Sequence, residues 1–119
     1  MKRSGSLRSS PSFERFVLDQ LSELGAVSSR KMFGGIGLYC DAVFFGIIAR
    51  DALYLKVDDT TRRRYEEAGM AAFQPYGDRP GKMGYYAVPV GVLESAMELT
   101  LWAKEAVGVA SVARPRPRR

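Results

Sequence analysis

The first clear pattern in the chain is a helical one, close to the N-terminus. Its apolar side chains recur every three or four positions and are Phe13, Phe16, Val17, Leu21 and Leu24. Ser10 or Ser12 can cap this segment, because a hydroxyl accepts a hydrogen bond from a free backbone N–H of the first turn. Pro11 suits the first helical position and Gly25 supplies a stop. The pattern therefore predicts a helix that begins near Pro11 and ends before Gly25.

Beyond residue 30 the period changes to the alternation of β-strands. Apolar residues alternate in three short runs, 36–40, 43–48 and 53–57. The links between these runs, 41–42 and 50–52, are too short for crossover helices, so the strands are antiparallel. In the middle run, alternation puts Phe45 with Ile47 on one face and Phe44 with Ile48 on the other.

Three further segments are predicted to extend this sheet. Residues 30–33 predict a strand before the three runs, and the glycine pair at 34–35 predicts a bulge or a tight bend. Residues 84–88 predict a last strand, and Phe73 with Tyr76 predicts a short one inside the otherwise loop-like segment 70–83.

Two more helices complete the prediction. The second runs over 60–68, with Asp58 or Asp59 as its cap and Gly69 as its end. The third runs over about 92–109. Its predicted apolar stripe is Leu93, Met97, Thr100, Leu101, Lys104 and Val107. The fold class is therefore α+β: a central antiparallel β-meander sheet with helices at the N-terminus, in the middle and at the C-terminus.

Charge divides the chain of 119 residues into a folded body and two basic ends. The net charge is +5, but three Lys/Arg residues precede residue 11 and four arginines follow residue 113. The part between them holds 11 Lys/Arg against 13 Asp/Glu, so it is mildly acidic. We predict a disordered basic arm over 1–10, one folded domain over 11–110 and a disordered Arg/Pro tail over 111–119. The basic character is thus weak evidence for a DNA-binding domain.

Three features of the sequence bear on localisation. Cys40 is the only cysteine, so no internal disulfide can form, and the basic N-terminal residues are not followed by the apolar core of a signal peptide. The longest apolar run, 42–49, is too short to span a bilayer. We expect a cytoplasmic protein without membrane attachment.

Candidate catalytic and metal-binding groups are few. The chain has no histidine, and Cys40 lacks a second cysteine or a histidine with which to act. The acidic pair Asp58 and Asp59 suits helix capping better than metal binding. The glycine-rich segment 33–37 lacks the ending of a phosphate-binding loop and leads into a strand, which favours a bend. We predict that the protein is not an enzyme and has no cofactor or metal.

A candidate binding surface combines basic residues, the glycine bend and strand tyrosines. Its members are Arg30, Lys31, Phe33, Gly34, Gly35, Lys56, Arg62, Arg63, Arg64, Lys82, Tyr85 and Tyr86. Two plainer interpretations are favoured. The arginine triplet suits a solvated helix face with ion pairs, such as Arg62 with Glu66. The tyrosines, with Tyr39 and Tyr54, suit packing under a helix more than stacking on nucleic-acid bases.

The motifs now described resemble the TfoX N-terminal domain family. The matching segments are 30–39 (RKMFGGIGLY), 44–49 (FFGIIA), 53–58 (LYLKVD), 65–70 (YEEAGM) and 83–89 (MGYYAVP). The resemblance covers about residues 13–110. It implies an α+β domain with a central antiparallel sheet and a link to Sxy/TfoX regulators of competence genes, which act with a cyclic-AMP receptor protein. It implies a stand-alone N-terminal-type domain, without the helical C-terminal domain of full-length members, and no catalytic residues.

Three functions fit these observations. The leading one is a regulatory module that binds a protein partner, such as a transcription complex, through the sheet or the glycine bend. The alternative is direct nucleic-acid binding through the tails, the arginines 62–64 and the sheet tyrosines. A small-ligand site or cryptic enzyme would need acids such as Asp58 and Glu66 in a cleft. Sheet edges of a short meander also make a homodimer an open alternative.

Overall fold

The computed structural model describes residues 7–32, 34–74 and 84–113. The elements, in chain order, are α1 (Pro11–Gln20), β1 (Val27–Met32), β2 (Gly35–Cys40), β3 (Val43–Ala49), β4 (Ala52–Lys56), α2 (Arg62–Glu67), β5 (Tyr85–Ala87), α3 (Val90–Leu93) and α4 (Ala96–Ala113). Within these residues the strands form one antiparallel sheet in the order β1-β2-β3-β4-β5. The α+β class and the central meander are therefore confirmed.

Tight two-residue turns join β2 to β3 and β3 to β4. Asp41 and Ala42 have φ of 51° and 70°, and Arg50 and Asp51 have φ of 52° and 58°. Two successive left-handed residues make the hairpin turns whose twist matches that of the flanking strands. Gly34, with φ of 87°, lies in the link between β1 and β2, so the predicted glycine bend is a hairpin turn.

The main core lies between the helices and one face of the sheet. Its fully buried side chains are Val17, Leu21, Leu38, Phe45, Ile48, Leu53, Leu55, Tyr65 and Leu99. They come from α1, α2, α4 and the central strands, which shows that the helices share one side of the sheet. Cys40 is buried at the end of β2, as predicted. Burial raises the pKa of its thiol, so the thiol stays protonated at neutral pH.

The first helix is shorter than predicted. It ends at Gln20, because the N–H of Leu21 is shared between the carbonyls of Val17 (3.0 Å) and Leu18 (3.2 Å). This tightens the last turn, and a non-helical turn leads on to Gly25, with φ of 128°. The predicted cap is confirmed: Ser10 Oγ accepts a hydrogen bond from the N–H of Phe13 at 3.2 Å.

The predicted final helix is two helices. Ser95 separates them: its hydroxyl accepts from the N–H of Glu98 (3.2 Å) and its carbonyl from that of Leu99 (2.8 Å), which starts α4. The predicted apolar stripe is only partly correct. Thr100 is buried and Leu93 and Val107 pack against the core, whereas Met97 and Leu101 are 73% and 59% exposed. Most of the buried side of α4 is made by Leu99, Ala103, Ala106 and Ala110. Alanines let the helix lie close to the sheet, and α4 is too apolar all round for periodicity to identify its inner face.

The second helix is also shorter than predicted. Its N-cap position is Thr61, whose side chain makes no capping hydrogen bond, so the prediction of Asp58 or Asp59 as the cap is wrong. Asp58 Oδ1 accepts from the N–H groups of Thr60 (3.0 Å) and Thr61 (2.9 Å), and Thr61 Oγ1 accepts from the N–H of Asp58 (3.0 Å). These bonds, chiefly the one from the backbone of Thr61, lower the pKa of Asp58. Helical geometry starts only at Arg62, because the reciprocal bonds hold residues 58–61 in a turn.

Both predicted disordered ends differ from the structure where it describes them. Residues 7–10 lie against the sheet: Leu7 is 7% exposed, and its carbonyl accepts from the N–H of Arg50 at 3.3 Å. The backbone N–H of Ser10 also donates to Asp51 Oδ1 at 2.7 Å. At the other end α4 continues to Ala113, past the predicted start of the tail. The remainder of the predicted arm and tail lies outside the described residues.

The segment near Phe73 contributes little to the sheet. The predicted short strand near Phe73 is a single bridge, Ala72 with Tyr86, while Tyr76 lies outside the described residues. None of the described helices combines the length and apolar content that crossing a lipid bilayer requires.

Gly108 in α4 offers a simple test of the helix assignment. A Cβ built there meets no atom within 4 Å, and its backbone is helical, so Gly108→Ala should raise the free energy of unfolding by about 0.5–1 kcal/mol. Gly69→Ala is the matched control: its site is equally open, but φ is 81°, so this change should destabilise. Urea titrations of both variants give the values, and equal effects would contradict the assignment.

Candidate binding surface

The sheet carries a cluster of aromatic side chains on the side opposite the helices. We call this cluster the aromatic face; its residues are Tyr39, Phe44, Tyr54, Phe73 and Tyr85. The rings form two groups: Phe44 lies 5.2 Å from Tyr39 and 5.6 Å from Tyr85, and Tyr54 lies 4.8 Å from Phe73, measured between ring centroids. Tyr39, Phe44 and Tyr54 are partly exposed, whereas Phe73 and Tyr85 are buried. A partner could therefore contact the three outer rings, which rest on the two buried ones.

The aromatic face depends on a bulge in β3. The pairing of β2 with β3 shifts between Leu38 and Tyr39, which leaves Phe45 as an extra residue on β3. Phe45 therefore turns into the helix-side core with Ile48, and Phe44 turns to the opposite side with Ile47. The alternation predicted from the sequence put Phe45 on the same face as Ile47, and Phe44 on the same face as Ile48. That prediction is wrong.

Gly37 makes room for this arrangement. A Cβ at this position would lie 2.8 Å from Met32 Cε and 3.1 Å from a ring carbon of Phe44. The absent side chain thus lets Phe44 lie flat across β2 beside Met32. The sequence predicted that Gly37 is part of a bend. The close contact of Met32 and Phe44 at this glycine joins three strands, so no local pattern indicates it.

Two cations border the aromatic face. The guanidinium carbon of Arg30 lies 5.7 Å from the Tyr39 ring centre, and Nζ of Lys56 lies 5.2 Å from that of Tyr85. Such contacts are attractive because the ring face carries partial negative charge. Burial raises the pKa of Tyr85 to about 12, so its hydroxyl stays neutral at physiological pH. The surface therefore combines neutral rings with positive charge.

Leu7 closes one end of this side of the sheet. It packs with Ile47, Ala49, Phe73 and Tyr85 in a second small core that contains no helix residue. The chain is held there by Asp51, whose carboxylate accepts from the N–H of Ser10 and whose own N–H donates to Ser9 Oγ at 2.9 Å.

The structure brings together only some of the predicted binding residues. Arg30, Lys56 and Tyr85 lie on the aromatic side, with Gly35 and the Gly34 turn at its end. Lys31 is exposed on the same strand as Arg30 but points to the opposite side. Phe33 and Lys82 lie outside the described residues. Tyr39, Phe44 and Tyr54 were absent from the predicted set, although the alternation of β2 and β4 already separated both tyrosines from the core positions.

The α2 arginines and Tyr86 form a separate cluster. Arg62 pairs with Asp59 (2.6 Å) and Glu66 (3.6 Å), and the hydrogen bond to Asp59 raises the pKa of this arginine. The hydroxyl of Tyr86 donates to Glu66 Oε2 at 2.7 Å, which raises the pKa of Tyr86. Tyr86 thus packs on the helix side, as predicted for all four strand tyrosines. For Tyr39, Tyr54 and Tyr85 that prediction is wrong, because they lie on the opposite side of the sheet.

Arg64 is bound to α4 on the same side of the molecule. It pairs with Glu105, and its guanidinium lies 4.5 Å from the Trp102 ring centre. Trp102 in turn meets the buried Tyr65 edge-on. Because Glu66, Glu105 and their neighbours offset the charge of Arg62 and Arg64, phosphate groups would have to compete with existing carboxylates there. Arg63 is exposed on this helix.

The described residues contain no group of three or more Cys, Asp or Glu side chains that is arranged to hold a metal ion. The Asp58 carboxylate already accepts hydrogen bonds from Thr60 and Thr61 in the turn before α2.

Comparison with known proteins places these features in a family. The sequence model of the TfoX N-terminal domain family matches residues 19–110, which is most of the chain. Over 61 residues the chain is 33% identical to DNA transformation protein TfoX1 of Aliivibrio fischeri (strain ATCC 700601 / ES114). That alignment covers 51% of this chain and 29% of the relative, so the chain spans less than a third of that protein. The chain belongs to the TfoX N-terminal domain family, a competence-related family.

Proposed function

We propose that this domain is a non-enzymatic regulatory module that binds a protein partner of competence-gene transcription, in the cytoplasm, through the aromatic face. The observation that carries the proposal is a set of partly exposed rings, bordered by Arg30 and Lys56, on the side of the sheet without helix residues. Tyrosine, phenylalanine and arginine are the side chains enriched at protein interfaces.

The family supports the regulatory part of this proposal. TfoX-type proteins are a competence-related family and not a known enzyme family. The relative in Aliivibrio fischeri is called a DNA transformation protein. The geometry supports the binding part, because a packed base of Phe73 and Tyr85 fixes the outer rings and lowers the entropy lost on docking.

Site-directed photo-crosslinking in cells tests the proposal. A benzoylphenylalanine replaces Tyr39 on the aromatic face or, as the matched control, Leu101 on the helix side, which is 59% exposed. We expect position 39 to give a discrete adduct with a transcription-associated protein, identified by mass spectrometry, and position 101 to give none. Equal labelling from both positions, or adducts with unrelated proteins only, would overturn the proposal.

A functional variant gives a second prediction. Replacing both Tyr39 and Phe44 by serine should weaken partner binding roughly 30-fold or more, since central interface aromatics contribute about 2 kcal/mol or more. A competence-gene reporter should fall accordingly. Leu101→Ser, which also removes an exposed apolar group, should leave the reporter unchanged. Circular dichroism checks that both variants fold, and a reporter unaffected in the double variant would contradict the role of this face.

Nucleic-acid binding is the second candidate, favoured by the rings and the two cations on one surface. Fluorescence anisotropy with labelled single-stranded and duplex DNA at two salt concentrations tests it. If the aromatic face binds the nucleic acid, the double variant Arg30→Ala with Lys56→Ala should abolish DNA binding. If only the ends bind, replacing the four C-terminal arginines by alanine removes it and the face variant does not.

A further inference from the structure

The sheet has one protected edge and one open edge. At the β5 edge, residues 71–73 run alongside: the N–H of Phe73 donates to the carbonyl of Tyr85 (2.8 Å), and that of Ala87 to the carbonyl of Ala71 (3.1 Å). At the β1 edge, the described residues supply no strand beyond β1, which pairs with β2 alone. A strand of six residues with no further strand beside it in the described part of the chain is long enough to receive another strand.

The direction of the free backbone groups in β1 follows from its register. The N–H of Asp41 donates to the carbonyl of Ala26 (3.3 Å), so residues 26 and 41 form a hydrogen-bonded pair. Such pairs alternate in an antiparallel ladder, and the register of β1 with β2 is uninterrupted. Val27, Ser29 and Lys31 therefore direct their N–H and C=O groups away from β2, towards the open edge.

The positive charge at the β1 edge indicates what kind of strand could bind there. Arg30 and Lys31 are adjacent and exposed, and they point to opposite sides of the sheet. On the helix side, Glu14 already accepts a hydrogen bond from Ser29 Oγ at 3.1 Å. Pairing with a second copy of β1 would bring four cations together on two short strands, and in the registers centred on Arg30 or Lys31 like charges would lie directly opposite one another, which disfavours self-pairing. A strand that carries carboxylates would meet positive charge on both sides.

We propose that β1 receives an extended acidic segment of a partner protein, which adds to the sheet as a strand beside Val27–Met32. This inference goes beyond the proposed function, because it concerns the sheet edge and not the aromatic face. The added strand would bond to the backbone of Val27, Ser29 and Lys31, and its carboxylates would lie beside Arg30 and Lys31. Main-chain bonds would give affinity, and the two cations would give the preference for acidic sequences.

An NMR titration of the full chain with a synthetic peptide tests this. The probe is a blocked seven-residue peptide that alternates glutamate with valine and threonine, and its control has lysine in place of each glutamate. The acidic peptide should shift the amide signals of residues 27, 29 and 31 and slow their hydrogen exchange, whereas the lysine peptide should not. Shifts confined to Tyr39, Phe44 and Tyr54 would overturn the edge proposal and leave the aromatic face in place.

Matched variants separate charge from backbone pairing. Lys31→Glu should weaken binding of the acidic peptide roughly fivefold, whereas Lys104→Glu, the same change on an exposed residue of α4, should not. Lys31→Pro should weaken binding of the acidic peptide several-fold more than Lys31→Ala does. Both changes remove the charge, but proline also removes the N–H of residue 31, which points away from β2 and makes no bond to it.

Equal binding of the acidic peptide by the two glutamate variants would overturn the proposal. So does a concentration-dependent shift of the β1 amides without peptide, which would assign the edge to a second copy.

Discussion

Phe45→Ala should lower the free energy of unfolding by about 3–5 kcal/mol, the range for a fully buried phenylalanine. The side chain of Phe45 is completely inaccessible to solvent and lies in the core between the sheet and the helices. Its truncation would leave a cavity against rigid strands and α4, which cannot close without disturbing the register. A loss of this size is a large part of the total stability of a domain of this length.

The neighbouring Phe44 provides the control. It differs from Phe45 by one position, but the bulge places it on the aromatic face, where it is partly exposed. Phe44→Ala should cost roughly 1–2 kcal/mol, because less apolar area is lost from a partly exposed ring. Denaturant unfolding followed by circular dichroism measures both. If the two costs are equal, or if the larger belongs to Phe44, the bulge assignment fails.

The fold should lose stability steeply at alkaline pH. Burial raises the pKa of Tyr85 to about 12 and raises that of Tyr65 further above its usual value near 10. Between the unfolded and folded pKa values, the folded state keeps protons that the unfolded state releases. The stabilisation is thus fully present below about pH 10 and is lost as the pH rises through 12. Each group contributes a slope of about 1.4 kcal/mol per pH unit in that window.

Phenylalanine variants test this slope. Tyr65→Phe and Tyr85→Phe keep the packed rings but cannot ionise, so each should flatten the decline of unfolding free energy between pH 10 and about 12. The double variant should flatten it further, since the two tyrosines lie in separate cores. Urea titrations at successive pH values give the profiles. An unchanged alkaline slope in the double variant would show that neither hydroxyl is protected by the fold.

The aromatic face and the β1 edge are neighbouring surfaces of one sheet. Arg30 belongs to both, because it lies over Tyr39 and also borders the open edge. A partner that bound the face could therefore place an extended acidic segment along β1. Separate variants, Tyr39 with Phe44 on one side and Lys31 on the other, distinguish the two contacts.

Much of the fold was predictable because its causes are local. Alternation assigned the inner faces of β2 and β4 correctly, since Ile36, Leu38, Leu53 and Leu55 all lie in the core. Short links predicted antiparallel hairpins, and a serine beside Pro11 predicted the start of α1. The caps, turns and strand periods depend on residues a few positions apart.

The candidate site was less predictable because it depends on contacts between distant segments. The arginines of α2 looked available in the sequence, but Glu105 lies 41 residues after Arg64 and pairs with it only in the folded state. Leu7 looked like part of a free arm, and its burial depends on the turn at Arg50 and Asp51. Such pairings carry no local pattern.

Local patterns in the chain were enough to assign the family, the α+β class, the meander order, the turns and the cap of α1. Tertiary packing was needed to assign which phenylalanine of the pair 44–45 enters the core, which side of α4 is buried and which cations meet aromatic rings. The physical reason is that a bulge, the rotation of an apolar helix and a cation–ring contact each depend on how segments far apart in the chain pack. Local preferences leave these alternatives nearly equal in free energy, and close packing of the whole domain selects one.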